Sequence, residues 1–342
     1  MANGVKSPST FRTLLLFMVF VPFNAEILTG SNPIELFIFN PIVAITGIVL
    51  YGFQVAILAD LAARYQLSYR AIFLLGFVFT LVMEGMGSGT FENTKLVYTT
   101  LLLRVFNFNI AYAFFALAFQ SVITTWMTII AMRLAWPGRV ARPFLKKWQH
   151  EVLLVVLAIA YAGLINYNLE TGVFPPPSIY VLQVLIIFGL LVVVVVAIKR
   201  TLKTPVLQEP IITVRRYRMQ SLIDVIFFGI LAMVAGSIDT LAYAINPTKP
   251  FPVFTLAGIF GQVVAIVILL ISVLLSWNMF KHMDMDPGIS NAKLFAVVLV
   301  FLLFWLIVGF LFRTLPSDIV VAFILPVEII KARRGCRANA AT

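Results

Sequence analysis

Cysteine and histidine are almost missing from this chain: Cys336 stands alone, and His150 and His282 are the two histidines among 342 residues. One cysteine cannot close an intrachain disulfide or supply a thiolate zinc or iron–sulfur site. Both histidines fall between apolar runs, so bis-histidine haem ligation inside a helix bundle is excluded, and neither a metal nor a cofactor is expected. Acidic residues are scarce too, 14 against 25 Lys and Arg. The longest stretches between apolar runs, about Pro137–His150 and Thr201–Arg218, are too short to fold alone, which leaves residues 1–342 as a single integral membrane domain.

What the chain has in abundance is apolar side chains, 61% of the sequence with a mean hydropathy of +1.03, gathered in long blocks. About 20 mostly apolar residues at 1.5 Å each carry a helix across the hydrocarbon. Nine blocks qualify: Phe11–Leu28, Phe39–Leu61, Ala71–Met86, Phe106–Leu134, Glu151–Asn166, Ile179–Ile198, Met219–Ile245, Val253–Phe280 and Leu294–Phe312. A shorter tenth, Leu315–Ile330, contains Pro326. Lipid offers no hydrogen bonds to backbone groups, so such runs must be helices or a closed barrel. Runs such as Val192–Val196 lack the alternation a barrel strand requires, and the expected fold is an all-α, polytopic transmembrane bundle.

The basic residues set the expected topology, because Lys and Arg in short loops are retained on the cytoplasmic side. With the N-terminus inside, 17 of them are cytoplasmic and four, Lys95, Arg104, Lys249 and Arg313, are outside. Lys331, Arg333, Arg334 and Arg337 join the cytoplasmic set if Leu315–Ile330 crosses, giving 21 against four. The expectation is therefore about ten spans (nine if that segment does not cross), a cytoplasmic N-terminus, and residues 331–342 as a basic cytoplasmic tail. Lys6 and Arg12 before Thr13–Val21 resemble the start of a signal peptide, but no small-x-small cleavage site follows, and an uncleaved first helix is expected. The net charge of +11 is thus accounted for by topology. Membrane lipid, and protein partners within the membrane, are the expected neighbours; nucleic acid is not. The plasma membrane is the expected location.

Charged groups in hydrocarbon are costly and mark function by default. Glu26, Glu84 and Asp239 fall at similar depth near the outer ends of the first, third and seventh runs, whereas Asp60 and Asp224 fall near inner ends. Asp60 is followed four residues later by Arg64, the spacing of a helical ion pair. Glu84 opens Glu84-Gly85-Met86-Gly87-Ser88-Gly89, whose glycines permit unwinding or close backbone approach. Asn24 precedes Glu26, and Asn32-Pro33 and Asn40-Pro41 are turn signals. Arg104 lies before the fourth run, within reach of the same outer surface. A ligand site made of Glu84, Glu26, Asp239, Asn24 and Arg104 follows as an expectation, with no catalytic residue assigned. His282-Met283-Asp284-Met285-Asp286 alternates ligand types as an extended cation site would; a solvated loop is the plainer reading.

Pro22-Phe23-Asn24-Ala25-Glu26-Ile27-Leu28-Thr29-Gly30-Ser31-Asn32-Pro33, Phe39-Asn40-Pro41, Tyr51-Gly52 and Glu84-Gly85 resemble a family of uncharacterised prokaryotic multi-span membrane proteins, over about residues 20–150. In that family the third helix tends to end in paired glutamates before glycine, and the fourth tends to carry a histidine. The matching positions here are Met83-Glu84 and Gln120. The paired-acid helix is loosely similar in turn to glutamate-type intramembrane proteases, which use two adjacent glutamates, an arginine and histidines on other helices. This chain has Glu84 alone and no histidine in an expected span, so the resemblance implies no known activity. The favoured function is an ion- or ligand-binding, transporter-like membrane protein with an acid-lined outer cavity. Alternatives are a non-catalytic subunit of a larger membrane complex and a membrane-embedded enzyme acting on lipid or peptide, the non-enzymatic readings being preferred.

The topology has a direct test. An impermeant maleimide applied to intact cells should leave Cys336 unlabelled and label it after permeabilisation; labelling of intact cells would place the tail outside and reduce the spans to nine.

Overall fold

The computed structural model describes residues 10–29, 31–91, 104–105, 108–172, 177–203, 256–285, 291–310 and 314–340. The order is α1 (Thr10–Ile27), α2 (Ile34–Phe39), α3 (Pro41–Arg64), α4 (Tyr69–Gly87), a ribbon of β1 (Arg104–Val105) and β2 (Phe108–Asn109), then α5 (Ile110–Phe119, Gln120–Met127 and Thr128–Ala135). There follow α6 (Pro137–Val140), α7 (Lys147–Glu170), α8 (Pro177–Lys203), α9 (Leu256–Met285), α10 (Asn291–Phe310) and α11 (Leu315–Ala340). Apart from the ribbon the described chain is all-α. Six helices among the described residues, α1, α3, α4, α5, α7 and α8, are long and apolar enough to cross a membrane, which is consistent with a membrane protein. They coincide with the first six expected runs. The seventh, Met219–Ile245, lies outside the described residues, while α9, α10 and α11 occupy the positions of the last three. Helix α11 continues through residue 331 to Ala340.

Helix ends follow their local sequences. Asn40 caps α3, its Oδ1 accepting from the amides of Ile42 and Val43 with Pro41 in the first turn, so this Asn-Pro is a helix start rather than a simple turn. Asn109 caps α5 by accepting from the Tyr112 amide. Four of the described helices contain a widened segment. Phe23–Ile27 in α1, Thr46–Phe53 in α3, Leu81–Gly87 in α4 and Gln120–Met127 in α5 are π-helical. The i→i+5 ladder is visible at their ends, where the Leu28 amide donates to the Phe23 carbonyl at 2.8 Å and the Ser88 amide to that of Met83 at 2.7 Å. Such wide turns occur frequently at functional sites.

The chain forms two compact units. The first comprises Met1–Ser68, Ile123–Ala160 and Gly288–Thr342. In it the α-helical part of α1 packs on the π segment of α3, and α11 packs on Thr128–Ala135 of α5, on α10 and on α2. Gly52 makes the first contact possible: a Cβ there would stand 2.9 Å from the Met18 Cα. Trp126, fully buried, meets Phe301 of α10 edge-on. Asp60, at the end of α3, is also fully buried and fastens the segment before α7. Its Oδ1 accepts from the amides of Phe144 and Leu145, and its Oδ2 from Arg64 Nη2 at 2.9 Å, with His150 Nε2 at 2.7 Å. The expected Asp60–Arg64 pair is thus present within a larger clamp.

The second unit comprises Tyr69–Val122 and Tyr161–Pro287. Here α8 and α9 pack against α4, and Leu74, Leu81, Phe91, Ala113, Ala116, Ile187 and Val194 form one apolar cluster. Asp284 is neither on an extended strand nor in a solvated loop. It lies in the last turn of α9 and accepts from the Tyr69 amide at 2.6 Å and Arg70 Nε at 2.7 Å, capping α4, while the Arg70 guanidinium lies over the Trp277 ring. Along α8, Val181, Leu185, Phe188 and Val193 are exposed, an apolar face suited to lipid.

Close helix contact in the second unit depends on Gly76, where a Cβ would stand 2.3 Å from the Ser121 Cα of α5. Gly76→Ala should cost about 1–3 kcal/mol through overpacking. Gly163→Ala, with nothing within 4 Å of the new methyl, should be neutral or stabilise by up to about 1 kcal/mol. Equilibrium unfolding in detergent decides between them; equal effects would refute the contact.

Candidate functional site

The glycine-rich end of α4 is built around one carboxylate. Glu84, 4% exposed, sits within the π segment, where widening carries Gly85 and Gly87 against neighbouring helices. A Cβ on Gly87 would stand 2.3 Å from the Tyr161 ring, so glycine is required for α7 to approach. Gly89 has φ 64°, the left-handed turn that glycine adopts without strain. The chain thereby folds back, and the Glu84 carbonyl accepts from the Thr90 amide at 3.0 Å.

The same turn brings hydroxyls to the Glu84 side chain. Ser88 Oγ and Thr90 Oγ1 donate to Oε2, the former at 3.2 Å, and Gln120 Nε2 of α5 donates to Oε1 at 3.0 Å. Two further side chains hold the segment from outside: Asn168 of α7 donates to the carbonyls of Gly87 and Ser88 at 3.1 and 3.0 Å, and Tyr180 of α8 donates to that of Met86 at 3.2 Å. Every donor named here is neutral. These bonds fix the carboxylate in position. The carboxylate is thus held in one orientation, with glycine backbone around it.

Of the residues expected at the site, Glu84 is the best organised. The resemblance singled out positions 84 and 120, and the structure places their side chains in direct hydrogen bond. Glu26 belongs to the first unit and is 6% exposed; its Oε2 accepts from Asn32 Nδ2 at 2.7 Å, which closes the turn ahead of Pro33. Asn24, also in the first unit, turns to other partners: its Nδ2 donates to Thr128 Oγ1 at 3.3 Å and to Glu328 Oε1 at 3.2 Å. Arg104 is described in its backbone, which pairs opposite Asn109. Asp239 and Asp224 lie outside the described residues.

Several functional neighbours are missed by sequence reasoning. Ser88 and Thr90 follow the acid by four and six residues, a signal available once the glycines are read as a turn folding back on Glu84. Asn168 and Tyr180 leave no such trace, since their bonds run to backbone carbonyls on a distant helix. Glu328 follows Pro326 by two residues within an apolar run, and by the cost of burying charge it ranks with the other acids. No family model matches the chain, and neither does any curated protein or solved structure.

Proposed function

We propose that this chain is a multi-pass membrane protein that binds a positively charged solute or lipid headgroup at Glu84, on the outer side of the plasma membrane, with the N-terminus cytoplasmic and about ten spans. The observation that carries the reading is the Glu84 carboxylate, buried yet held at both oxygens by the neutral donors Gln120, Ser88 and Thr90. The held carboxylate offers two oriented oxygens, and in surroundings of low dielectric the attraction of a cation to such oxygens is strong. The pinning of the glycine turn by Asn168 and Tyr180 fits the same use, because a preorganised acceptor loses less entropy when a ligand arrives.

Thermal unfolding of the purified full chain in nanodiscs, with tetramethylammonium, ethanolammonium and arginine as soluble probes and phosphatidylethanolamine as the lipid probe, tests this. At a probe concentration a hundredfold above Kd, binding should stabilise the wild type by about 2.7 kcal/mol, visible as a raised Tm. Glu84→Gln should fold normally and lose the shift, and Leu190→Ala, at a position 42% exposed on α8, should keep it. A shift retained in full by Glu84→Gln would place the binding elsewhere.

A further inference from the structure

In the first unit a second carboxylate is buried more deeply. Glu328 of α11 is 0% exposed, as are Asn24 and Thr128 beside it. Its Oε1 accepts from Asn24 Nδ2 at 3.2 Å, and its Oε2 is buried with no hydrogen-bond partner among the described residues. The Asn24 amide is oriented by its other neighbour. Thr128 Oγ1 donates to the Ile123 carbonyl at 3.1 Å, a bond that uses the wide turn of the π segment, and so is left to accept from Asn24 Nδ2. The amide nitrogen therefore faces Thr128 and Glu328, and Asn24 Oδ1 is likewise buried and unpartnered. Thr125 Oγ1, three residues before Thr128, is a third such oxygen.

Ionisable groups occur on each element around Glu328. Among the residues whose side chains are described, they are Arg12 and Glu26 on α1, Glu35 on α2, Arg133 on α5, Lys293 on α10, and Asp318, Lys331, Arg333 and Arg334 on α11 itself. None of them bonds or pairs with Glu328: its one hydrogen bond is the neutral one from Asn24, while Glu35 accepts from Thr314 and Glu26 from Asn32. A fully buried carboxylate with one neutral donor is unstable as a bare anion, and the unpartnered Glu328 Oε2 and Asn24 Oδ1 are both acceptors, which a positive charge satisfies and a further acceptor cannot.

We propose that Glu328, Asn24 and Thr128 form a binding site for one monovalent cation, carried either as a proton on the Glu328 carboxyl or as a dehydrated sodium ion taken by the free oxygens of Glu328 and Asn24. Proton or sodium, the chemistry is the same: a single positive charge, bound by oxygen, that neutralises the carboxylate. Small hard cations take oxygen donors of this kind. The site stands apart from the one proposed at Glu84 and uses none of its residues, so either can fail without the other. Asn24 is the positioning residue, and α1, α5 and α11, which supply the three side chains, are the elements whose packing cation occupancy would alter.

Infrared difference spectroscopy on the purified full chain reads the Glu328 carboxyl directly, as pH is varied in sodium-free choline buffer and as NaCl is added at fixed pH. A protonated-carboxyl band present in the wild type and lost in Glu328→Gln is expected to respond in one of two ways. If the band titrates with pH and ignores sodium, the cation is a proton; if sodium abolishes it at constant pH, the ion displaces the proton. Asn24→Ala, which removes a hydrogen bond to the charged form, should shift the pH midpoint upward by about one unit or weaken sodium binding about tenfold. This readout is one that a merely structural asparagine would not move. A Glu328 band that responds to neither pH nor sodium in the folded protein, or the absence of any difference between wild type and Glu328→Gln, overturns the proposal.

Discussion

A polar side chain inside an apolar helix bundle must find its partners within the protein, and much of what is distinctive here follows from that constraint. An ordinary helix offers few such partners because its backbone groups are already used by the i→i+4 ladder. The four π-helical segments change this by adding a residue to the turn and displacing carbonyls from the regular register. Thr128 reaches the carbonyl of Ile123 for that reason. Asn24 and Glu26 lie in the π segment of α1, Glu84 in that of α4, and Gln120, Thr124 and Thr125 in that of α5. Polar residues and wide turns coincide, and the two candidate sites are built from these segments.

The acids divide into two kinds by the partners they have. Asp60 and Asp284 stand at helix ends, each against an arginine and against backbone amides of another segment, so their charge is spent on docking chain to chain. Truncating such a buried acid leaves its partners uncompensated, at a cost of about 3–5 kcal/mol. Glu84 and Glu328 lie within helices and take neutral donors, Gln120, Ser88 and Thr90 in one case and Asn24 in the other. Neutral donors orient a carboxylate. Asp60 and Asp284 join segments of the chain, and Glu84 and Glu328 are the residues on which the two proposals rest.

Glycine and the small hydroxyl residues serve the same end by closeness. At Gly52, Gly76 and Gly87 a Cβ would stand within 3 Å of a neighbouring backbone or ring, so helices approach far enough for short side chains such as Ser88 and Asn168 to reach across. The helical faces turned outward need no such precision, and between Val181 and Val196 of α8 the exposed residues are Val, Leu, Ile, Phe and one Gly.

The sequence by itself determined the all-α class and the positions of the six described helices long enough to cross a membrane. Run length, the scarcity of charge and the need to satisfy backbone groups internally are local properties written residue by residue. It also made visible the Asp60–Arg64 pair, which depends on near neighbours, and the glycines after Glu84 that permit close backbone approach, whereas Asn40-Pro41, read as a turn, caps a helix. Only the tertiary structure decided which distant groups meet. Asn24 and Glu328 are 304 residues apart and Arg70 and Asp284 are 214 apart, and no periodicity or spacing ties one to the other. The π-helical form of the four segments was likewise undecided, because an apolar run reads the same whether its ladder closes at four residues or five. Those outcomes rest on side-chain shape and hydrogen-bond demand across helix contacts, which exist only once the chain has packed.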